Sequence, residues 1–218
     1  MKHSTRPFDA TIRCLANRWS GAGLLLPGFP LLARGEPVTV GEIAKAAGVD
    51  DRTVATALRE ARCTLNESGC LIDLFGMMLA PSYHRLEIDR KVVFSCCALW
   101  AHVIPKLVDR VVLIESVDPE SREMVRLEVT PKKIQSVNPG TALATMTVAD
   151  AVSIEQDVGS AFCRHVRHFA SSDSAHKFAA RFPSCRVVEV DQLHEIAAQL
   201  YEAILESLSD RPNRHSCE

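Results

Sequence analysis

The hydrophobic pattern of the chain changes character at Pro81, and this change limits the folds that are open to it. Before Pro81, apolar residues recur at the spacing of amphipathic helices, as between Phe8 and Trp19. After it, alternating segments typical of strands are mixed with helical ones, ending in a clear helical stripe over 191–208. The sequence therefore predicts an α+β fold with an N-terminal helical domain at 1–80, a mixed α/β core domain at 81–210 and a tail at 211–218.

The segment 38–62 has the outline of a helix-turn-helix. Its first helix is expected to end at Gly48, with Val49 filling the turn and Asp50 or Asp51 capping the second helix. Two short apolar pieces follow, as the strands of a wing would. The pattern predicts that the N-terminal domain is winged-helix-like.

The charge of this domain argues against a DNA-reading role. Residues 1–90 hold eleven Lys and Arg against ten Asp and Glu, and the whole chain of 218 residues has a formal net charge of -2. Because phosphate neutralisation dominates affinity for DNA, a sequence-reading domain normally presents a strongly basic face. We therefore expect the winged helix to pack against the core or to cover it, and we do not expect it to bind DNA.

In the core domain, two alternating stretches at 111–115 and 125–129 predict an antiparallel β-hairpin. The pattern also favours a helical turn at 131–134, a strand at 142–148 and a helix at 158–170. The stretch VVFSCCALW (92–100) is expected to lead into a helix, with Cys97 at its first turn.

Neither the N-terminus nor any later run has the roughly 20 apolar residues that are needed to cross a bilayer. We expect a cytoplasmic protein that makes no contact with membranes. In that compartment its eight cysteines would stay reduced, and each must be explained as an individual thiol. A free cysteine is most often a small buried apolar residue, and this is our interpretation of those outside the two stretches discussed next.

Cys97 and Cys163 are far apart in sequence, and each lies in an apolar stretch, VVFSCCALW and AFCRHVRH. Thiolates bind soft metals strongly, and a helix N-terminus favours the thiolate form of Cys97. Two such thiols at one pocket would form a linear or trigonal soft-metal site. Zinc is less favoured, because the spacing of Cys163, His165 and His168 matches no standard zinc motif.

Taken together, the run VVFSCCALW, the approach to it through Tyr83-His84-Arg85-Leu86 and Glu87-Ile88-Asp89, and the later AFCRHVRHFAS resemble the organomercurial (alkylmercury) lyase family. The resemblance covers most of the chain. It implies an enzyme of mercury resistance that cleaves the carbon–mercury bond by protonolysis, giving a hydrocarbon and Hg(II).

The resemblance also implies roles for particular residues. Cys97 matches the thiol that takes up mercury, and Cys163, preceded by Phe162, matches the second thiol, which is also a proton source. The two would be both the catalytic and the metal-binding residues, with Trp100, Phe162 and Cys96 in the substrate pocket. No cofactor is implied, Hg(II) or another soft metal would be the bound ion, and a mercuric reductase or cellular thiols would receive the product.

Trp100 departs from the family pattern, which has an Asp at this position to move the proton. An indole is a hydrogen-bond donor that does not titrate, and the loss of a positioned proton-transfer group typically costs on the order of 10²–10⁴ in rate. Four other groups are candidates to replace the Asp, namely His102, Cys96, His165 and Asp118, and we assign the role to none of them. Cys96 is expected to point about 100° away from Cys97.

Trp100 therefore leaves a second hypothesis open. The protein would bind or sense a soft metal such as Hg or Cu without turnover, and its winged helix would respond to the metal. A closed apolar pocket that holds both sulfurs would favour the enzyme, whereas a basic recognition helix in a dimer would favour the sensor.

Overall fold

The computed structural model describes residues 6–209. The helices in this part are α1 (Asp9–Asn17), α2 (Gly28–Leu32), α3 (Val40–Ala47), α4 (Asp51–Glu60), α5 (Ala98–Val108), α6 (Ala151–Ala161), α7 (Ser172–Ala179) and α8 (Val190–Ser209). Single turns of 3-10 helix lie at Arg6–Phe8, Gly23–Leu25 and Cys163–His165. None of the helices in 6–209 combines the length and apolarity that crossing a membrane requires.

The strands form two antiparallel sheets. The larger one has the order β1-β2-β3-β5-β4-β6-β7-β8, and the smaller one has the order β10-β9-β11. Their bounds are β1 (Thr64–Leu65), β2 (Leu71–Leu74), β3 (Met77–Met78), β4 (His84–Ile88), β5 (Lys91–Ser95), β6 (Val112–Val117), β7 (Met124–Val129), β8 (Ile134–Asn138), β9 (Leu143–Thr147), β10 (His168–Phe169) and β11 (Cys185–Glu189). The predicted α+β class is confirmed, and the predicted hairpin is β6–β7.

The two helices of the predicted helix-turn-helix are present as α3 and α4. Thr39 and Glu42 form a reciprocal capping box at the start of α3, and Gly48 ends it in the left-handed conformation. Asp50, rather than Asp51, caps α4 by accepting a hydrogen bond from the Thr53 backbone. Val49 does not fill the turn, because its side chain is 38% exposed.

The larger sheet continues across the predicted domain boundary at residue 80. β2 and β3 form a hairpin where wing strands were expected, and β3 then pairs with β5, placing Met77 opposite Ser95. The winged-helix description and the division into 1–80 and 81–210 stay predictions. Because β3 pairs with both β2 and β5, the turn between β2 and β3 lies against the start of α5, where Cys96 and Cys97 are found.

Two local predictions were wrong. The segment 131–134 is not a helical turn, since Ile134 already begins β8 and pairs with Val129. The expected helix at 158–170 ends at Ala161, because His168 and Phe169 form β10 and pair with Ala144 and Leu143 of β9. The helical spacing of apolar residues in this stretch does not produce a helix, because its end pairs with a strand about 25 residues earlier in the sequence.

Candidate active site

Cys97 lies at the junction of a strand and a helix. β5 ends at Ser95, and Cys97 is the extended N-cap residue of α5, with φ -155° and ψ 168°. The Ser95 hydroxyl donates a 2.9 Å hydrogen bond to the Cys97 carbonyl oxygen, and the side chain of Cys97 is fully buried. The sulfur is therefore held at the positive end of the helix, as the sequence predicted.

Cys163 begins a single turn of 3-10 helix directly after α6. This turn is joined to the cysteine junction through the main chain, since the Ala98 N–H donates a 3.0 Å hydrogen bond to the Val166 carbonyl oxygen. The bond crosses more than 60 residues of sequence, and it brings the two predicted stretches together.

The structure places a third sulfur beside the two predicted ones. The Cys96 thiol donates to the Cys163 sulfur, with 3.4 Å between the two Sγ atoms. The sulfurs of Cys96, Cys97 and Cys163, here called the thiol cluster, all lie within 4.8 Å of one another. Cys96 does not point away, because it precedes the helix and the 100° step between helical residues does not apply to it.

The thiol cluster favours one thiolate, at Cys97. Burial raises the pKa of Cys97, but S–H hydrogen bonds from Cys163 and Cys96 outweigh burial and bring that pKa well below its ordinary value. The Trp100 backbone N–H and the Arg167 guanidinium act in the same direction, although the Cys97 sulfur makes no capping hydrogen bond of standard geometry.

The other two sulfurs favour the protonated form. Hydrogen bonds to Cys163 and Cys97, together with burial, raise the pKa of Cys96 well above its ordinary value. The hydrogen bond from Cys96 lowers the pKa of Cys163, but the hydrogen bond from Cys163 to Cys97 and the burial of Cys163 outweigh it, so the pKa of Cys163 is raised. The thiol cluster thus favours a thiolate at Cys97 over one at Cys96 or Cys163.

Arg167 is a charged neighbour that the sequence analysis missed. Burial lowers the pKa of Arg167, while the three sulfurs and Tyr83 oppose that shift. Its guanidinium lies 4.1 Å from the centre of the Tyr83 ring, and its Nη1 atom has no hydrogen-bond partner within 6–209. It supplies positive charge next to the Cys97 thiolate.

A cavity of about 280 Å³ opens beside the thiol cluster. Cys96, Cys163 and Trp100 line it, whereas Cys97 is not among its lining residues. Trp100 is only 5% exposed, and its ring lies 5.7 Å from that of Trp19. The indole therefore forms a wall of the cavity and cannot exchange protons with its contents.

The cavity has a carboxyl group that the sequence analysis did not single out. Asp73 lines the cavity, and its side chain accepts a 3.2 Å hydrogen bond from the Gly76 backbone. Burial raises the pKa of Asp73, and burial together with the Asp73 charge raises that of neighbouring Cys63 to about 12. No sequence motif marks Asp73, because only the folding of the β2–β3 hairpin places this residue at the cavity.

Gly76 makes the close packing at this turn possible. Its φ is +91°, and a Cβ atom added to it would lie 2.6 Å from the Cys96 sulfur and 3.1 Å from a ring carbon of Trp100. Its carbonyl oxygen also accepts a 2.9 Å hydrogen bond from the Cys96 backbone. The turn thus fixes both the backbone and the sulfur of Cys96.

Several candidates lie elsewhere. Phe162 is fully buried but does not line the cavity, so its place in a substrate pocket stays a prediction. Asp118 is buried and its carboxylate accepts hydrogen bonds from the backbone of Glu120, Ser121 and Ala170, which gives it a structural role. His165 does not line the cavity and does not join the metal-binding group, which within 6–209 consists of cysteines.

His102 and His168 belong to a buried chain of hydrogen bonds. His84 Nδ1 lies 2.7 Å from Ser116 Oγ, which lies 2.9 Å from His168 Nδ1. His168 Nε2 is 3.1 Å from His102 Nε2, and His102 Nδ1 is 3.3 Å from His194 Nδ1. These contacts occupy both ring nitrogens of His168, so the zinc site considered with Cys163 is not formed.

Comparisons with known proteins agree on one family. The family model described as alkylmercury lyase (MerB) matches residues 77–202. The chain is 32% identical over 195 residues to the alkylmercury lyase of Staphylococcus epidermidis, covering 89% of this chain and 87% of that protein. It is 30% identical over 179 residues to that of Streptomyces lividans, covering 82% of each. The fold matches the solved mercury-bound form of MerB2 with a TM-score of 0.67 at 16% identity, over 87% of this chain and 98% of that one.

Proposed function

Since the chain belongs to the alkylmercury lyase family, we propose that it binds organomercurials through Cys97 and Cys163 and cleaves the carbon–mercury bond by protonolysis. The observation that carries the proposal is the thiol cluster, in which the buried Cys97 sulfur lies within 4.8 Å of the Cys163 sulfur beside a cavity. A nucleophile and a proton are thus present at the same point.

The first step is ligand exchange at mercury. The Cys97 thiolate attacks the metal of R–Hg–X, a sulfur–mercury bond forms, and X⁻ leaves with its electron pair. Arg167 and the N-terminus of α5 stabilise the thiolate before the attack. Cys97 is buried, so the substrate enters through the cavity that Cys163 and Cys96 line.

The second step is protonolysis. The carbon–mercury bond breaks with its electron pair on carbon, carbon takes the Cys163 proton, and the Cys163 sulfur binds mercury. The products are the hydrocarbon RH and Hg(II) bound to the Cys97 and Cys163 sulfurs. Two small thiols then remove Hg(II) as a dithiolate complex, which returns one proton to Cys163 and releases one to solvent.

Every atom in this sequence comes from the substrate, the cysteines or small thiols, so the reaction needs no bound cofactor. The Hg(II) complex would pass to cellular thiols or to a mercuric reductase. We place the reaction in the cytoplasm, where thiols stay reduced, and we assign no DNA target to the N-terminal helices.

Trp100 favours a second candidate function, which is soft-metal binding without turnover. The indole lines the cavity at the position where a titrating side chain would assist proton transfer, so binding could persist while cleavage is slow. The two functions differ in whether hydrocarbon is released.

The test is incubation of the reduced protein with phenylmercury and excess thiol, followed by measurement of benzene. We expect benzene release above that of a Cys97→Ala variant, and a similar loss with Cys163→Ala. Stoichiometric phenylmercury binding without benzene would overturn the lyase proposal and support the binder.

A further inference from the structure

Cys96 has no role in the two-thiol reaction, yet its sulfur is in contact with the Cys163 sulfur. It lies 3.4 Å from the Cys163 sulfur, and the Cys97 sulfur is within 4.8 Å of both. We propose that Cys96 is a third metal ligand, so that Hg(II) is held by Cys96, Cys97 and Cys163 in a trigonal three-sulfur site. This inference shares two ligands with the proposed function but does not depend on carbon–mercury cleavage.

The distances suit a trigonal ion. If each sulfur lies roughly 2.3–2.5 Å from a central soft metal, a planar trigonal arrangement separates the sulfurs by roughly 4.0–4.3 Å. The Cys96 and Cys163 sulfurs are 3.4 Å apart, and no two sulfurs of the thiol cluster are more than 4.8 Å apart. Shifts of less than about 1 Å, within the reach of a cysteine rotamer adjustment, would complete the site.

Hydrogen bonds hold the backbone at Cys96 and at the residue that follows it. Its N–H donates to the Gly76 carbonyl oxygen, and the next residue accepts from the Ser95 hydroxyl. The missing side chain of Gly76 leaves the space in which the Cys96 sulfur lies. These contacts hold Cys96 in place beside the other two cysteines.

Access also favours participation of Cys96. Among the three sulfur residues, Cys96 and Cys163 line the cavity, whereas Cys97 is fully buried and does not. A metal ion that enters the cavity meets Cys96 and Cys163 before it reaches Cys97. A site that used Cys97 and Cys163 alone would require the ion to pass a third sulfur without binding it.

The chemistry of the donor set selects soft cations. Thiolates favour Hg(II), Cd(II) and Cu(I) over hard ions such as Mg²⁺ and Ca²⁺. When Hg(II) binds all three sulfurs, the protons of Cys96 and Cys163 leave to solvent, and the complex has one net negative charge beside Arg167. The third bond should also slow the transfer of Hg(II) to small thiols.

The experiment uses HgCl₂ alone, added at one equivalent to the reduced full chain after removal of a phosphine reductant, with no small thiol present. X-ray absorption at the mercury edge counts the sulfur neighbours. We expect three sulfurs in the wild-type protein and two, at a shorter distance, in Cys96→Ser. In competition with a dithiol chelator, Cys96→Ser should hold Hg(II) about 10–100-fold more weakly.

Two matched variants identify the third sulfur. Cys63→Ser removes another thiol of the same cavity, and Cys70→Ser removes one that does not line it, so both should keep three sulfurs. Two sulfurs in the wild type, or loss of the third sulfur in Cys63→Ser instead of Cys96→Ser, would overturn the proposal. The wild-type count needs no variant to fold. Because no organomercurial is used, failure of the lyase assay leaves this result unaffected.

Discussion

At the scale of single residues, the proposed reaction depends on how Trp100 affects proton transfer. It lines the cavity beside Cys96 and Cys163, and its ring packs near Trp19. In the proposed reaction the Cys163 proton goes directly to carbon, because an indole cannot relay it. Asp73, on β2, lines the same cavity, and its charge raises the pKa of Cys63.

Substitution of Trp100 tests this account of proton transfer. We predict that Trp100→Asp releases benzene faster than the wild type, because a positioned carboxylate can accept and deliver the proton. Trp100→Asn is the matched control, since it removes the same packing, worth about 3–5 kcal/mol, without adding a titrating group. Trp100→Asp should exceed Trp100→Asn by at least about 10²-fold in rate. Equal rates in two folded variants would refute the role assigned to Trp100.

Gly76 offers a second test at this scale. An added Cβ would lie 2.6 Å from the Cys96 sulfur, so we predict that Gly76→Ala displaces that sulfur and weakens Hg(II) binding about tenfold or more. The positive φ should also lower the free energy of unfolding by about 1–3 kcal/mol. Competition with a chelator and chemical denaturation measure the two effects.

The control for Gly76 is Gly69→Ala. Gly69 also has a positive φ of +75°, but an added Cβ would meet nothing within 4 Å. It should lose stability comparably and keep its affinity for Hg(II). If both variants bind Hg(II) as the wild type does, the contact with the Cys96 sulfur does not matter.

At the scale of elements, the buried histidine chain joins three strands and two helices. His84 lies on β4, Ser116 on β6, His168 on β10, His102 on α5 and His194 on α8. Burial lowers the pKa of all four histidines, that of His168 to about 3. Nearby positive charges lower these pKa values further. Arg167 acts on His84, and Lys106 acts on His102 and His194. The packing of α5 on α8 therefore requires neutral imidazoles.

This arrangement predicts acid sensitivity. Below pH 6.5 the unfolded chain binds protons that the folded chain does not, so the free energy of unfolding falls as the pH falls from 6.5 towards the folded-state pKa values. Each of the four histidines contributes a slope of up to about 1.4 kcal/mol per pH unit. Urea denaturation between pH 7.5 and pH 5 measures the slope.

His102→Phe, which removes one member of the chain, should reduce this slope. A free energy of unfolding that stays constant from pH 7.5 to pH 5 would mean that the pKa values of the buried histidines are the same in the folded and unfolded chains. That result would contradict the requirement for neutral imidazoles between α5 and α8.

Local signals explain which elements could be predicted. Thr39, Glu42, Gly48 and Asp50 determine the ends of α3 and α4 through contacts within a few residues, so the sequence contains the information. The predicted helix at 158–170 was wrong after Ala161, because β10 in this region depends on pairing with β9, about 25 residues earlier. The spacing of apolar residues within a segment does not indicate which distant strand that segment will pair with.

At the scale of the whole molecule, the resemblance to alkylmercury lyases is confirmed, and with it the α+β fold. The sequence predicts Cys97 and Cys163 as partners, and the structure places their sulfurs within 4.8 Å of each other. The sequence does not predict the contact of Cys96 with Cys163, because the direction of a side chain before a helix depends on the Gly76 turn. Arg167 and Asp73 were missed for the same reason, since each reaches the site through tertiary packing.

In the proposed reaction a proton from the thiol cluster replaces mercury on carbon. A single turnover of the deuterium-exchanged protein with phenylmercury in D₂O, with mass analysis of the benzene, tests this step. We predict benzene that carries one deuterium and Hg(II) that remains bound to the protein in a one-to-one ratio, both absent in Cys97→Ala. Benzene without deuterium, or phenylmercury bound with no benzene, would contradict it.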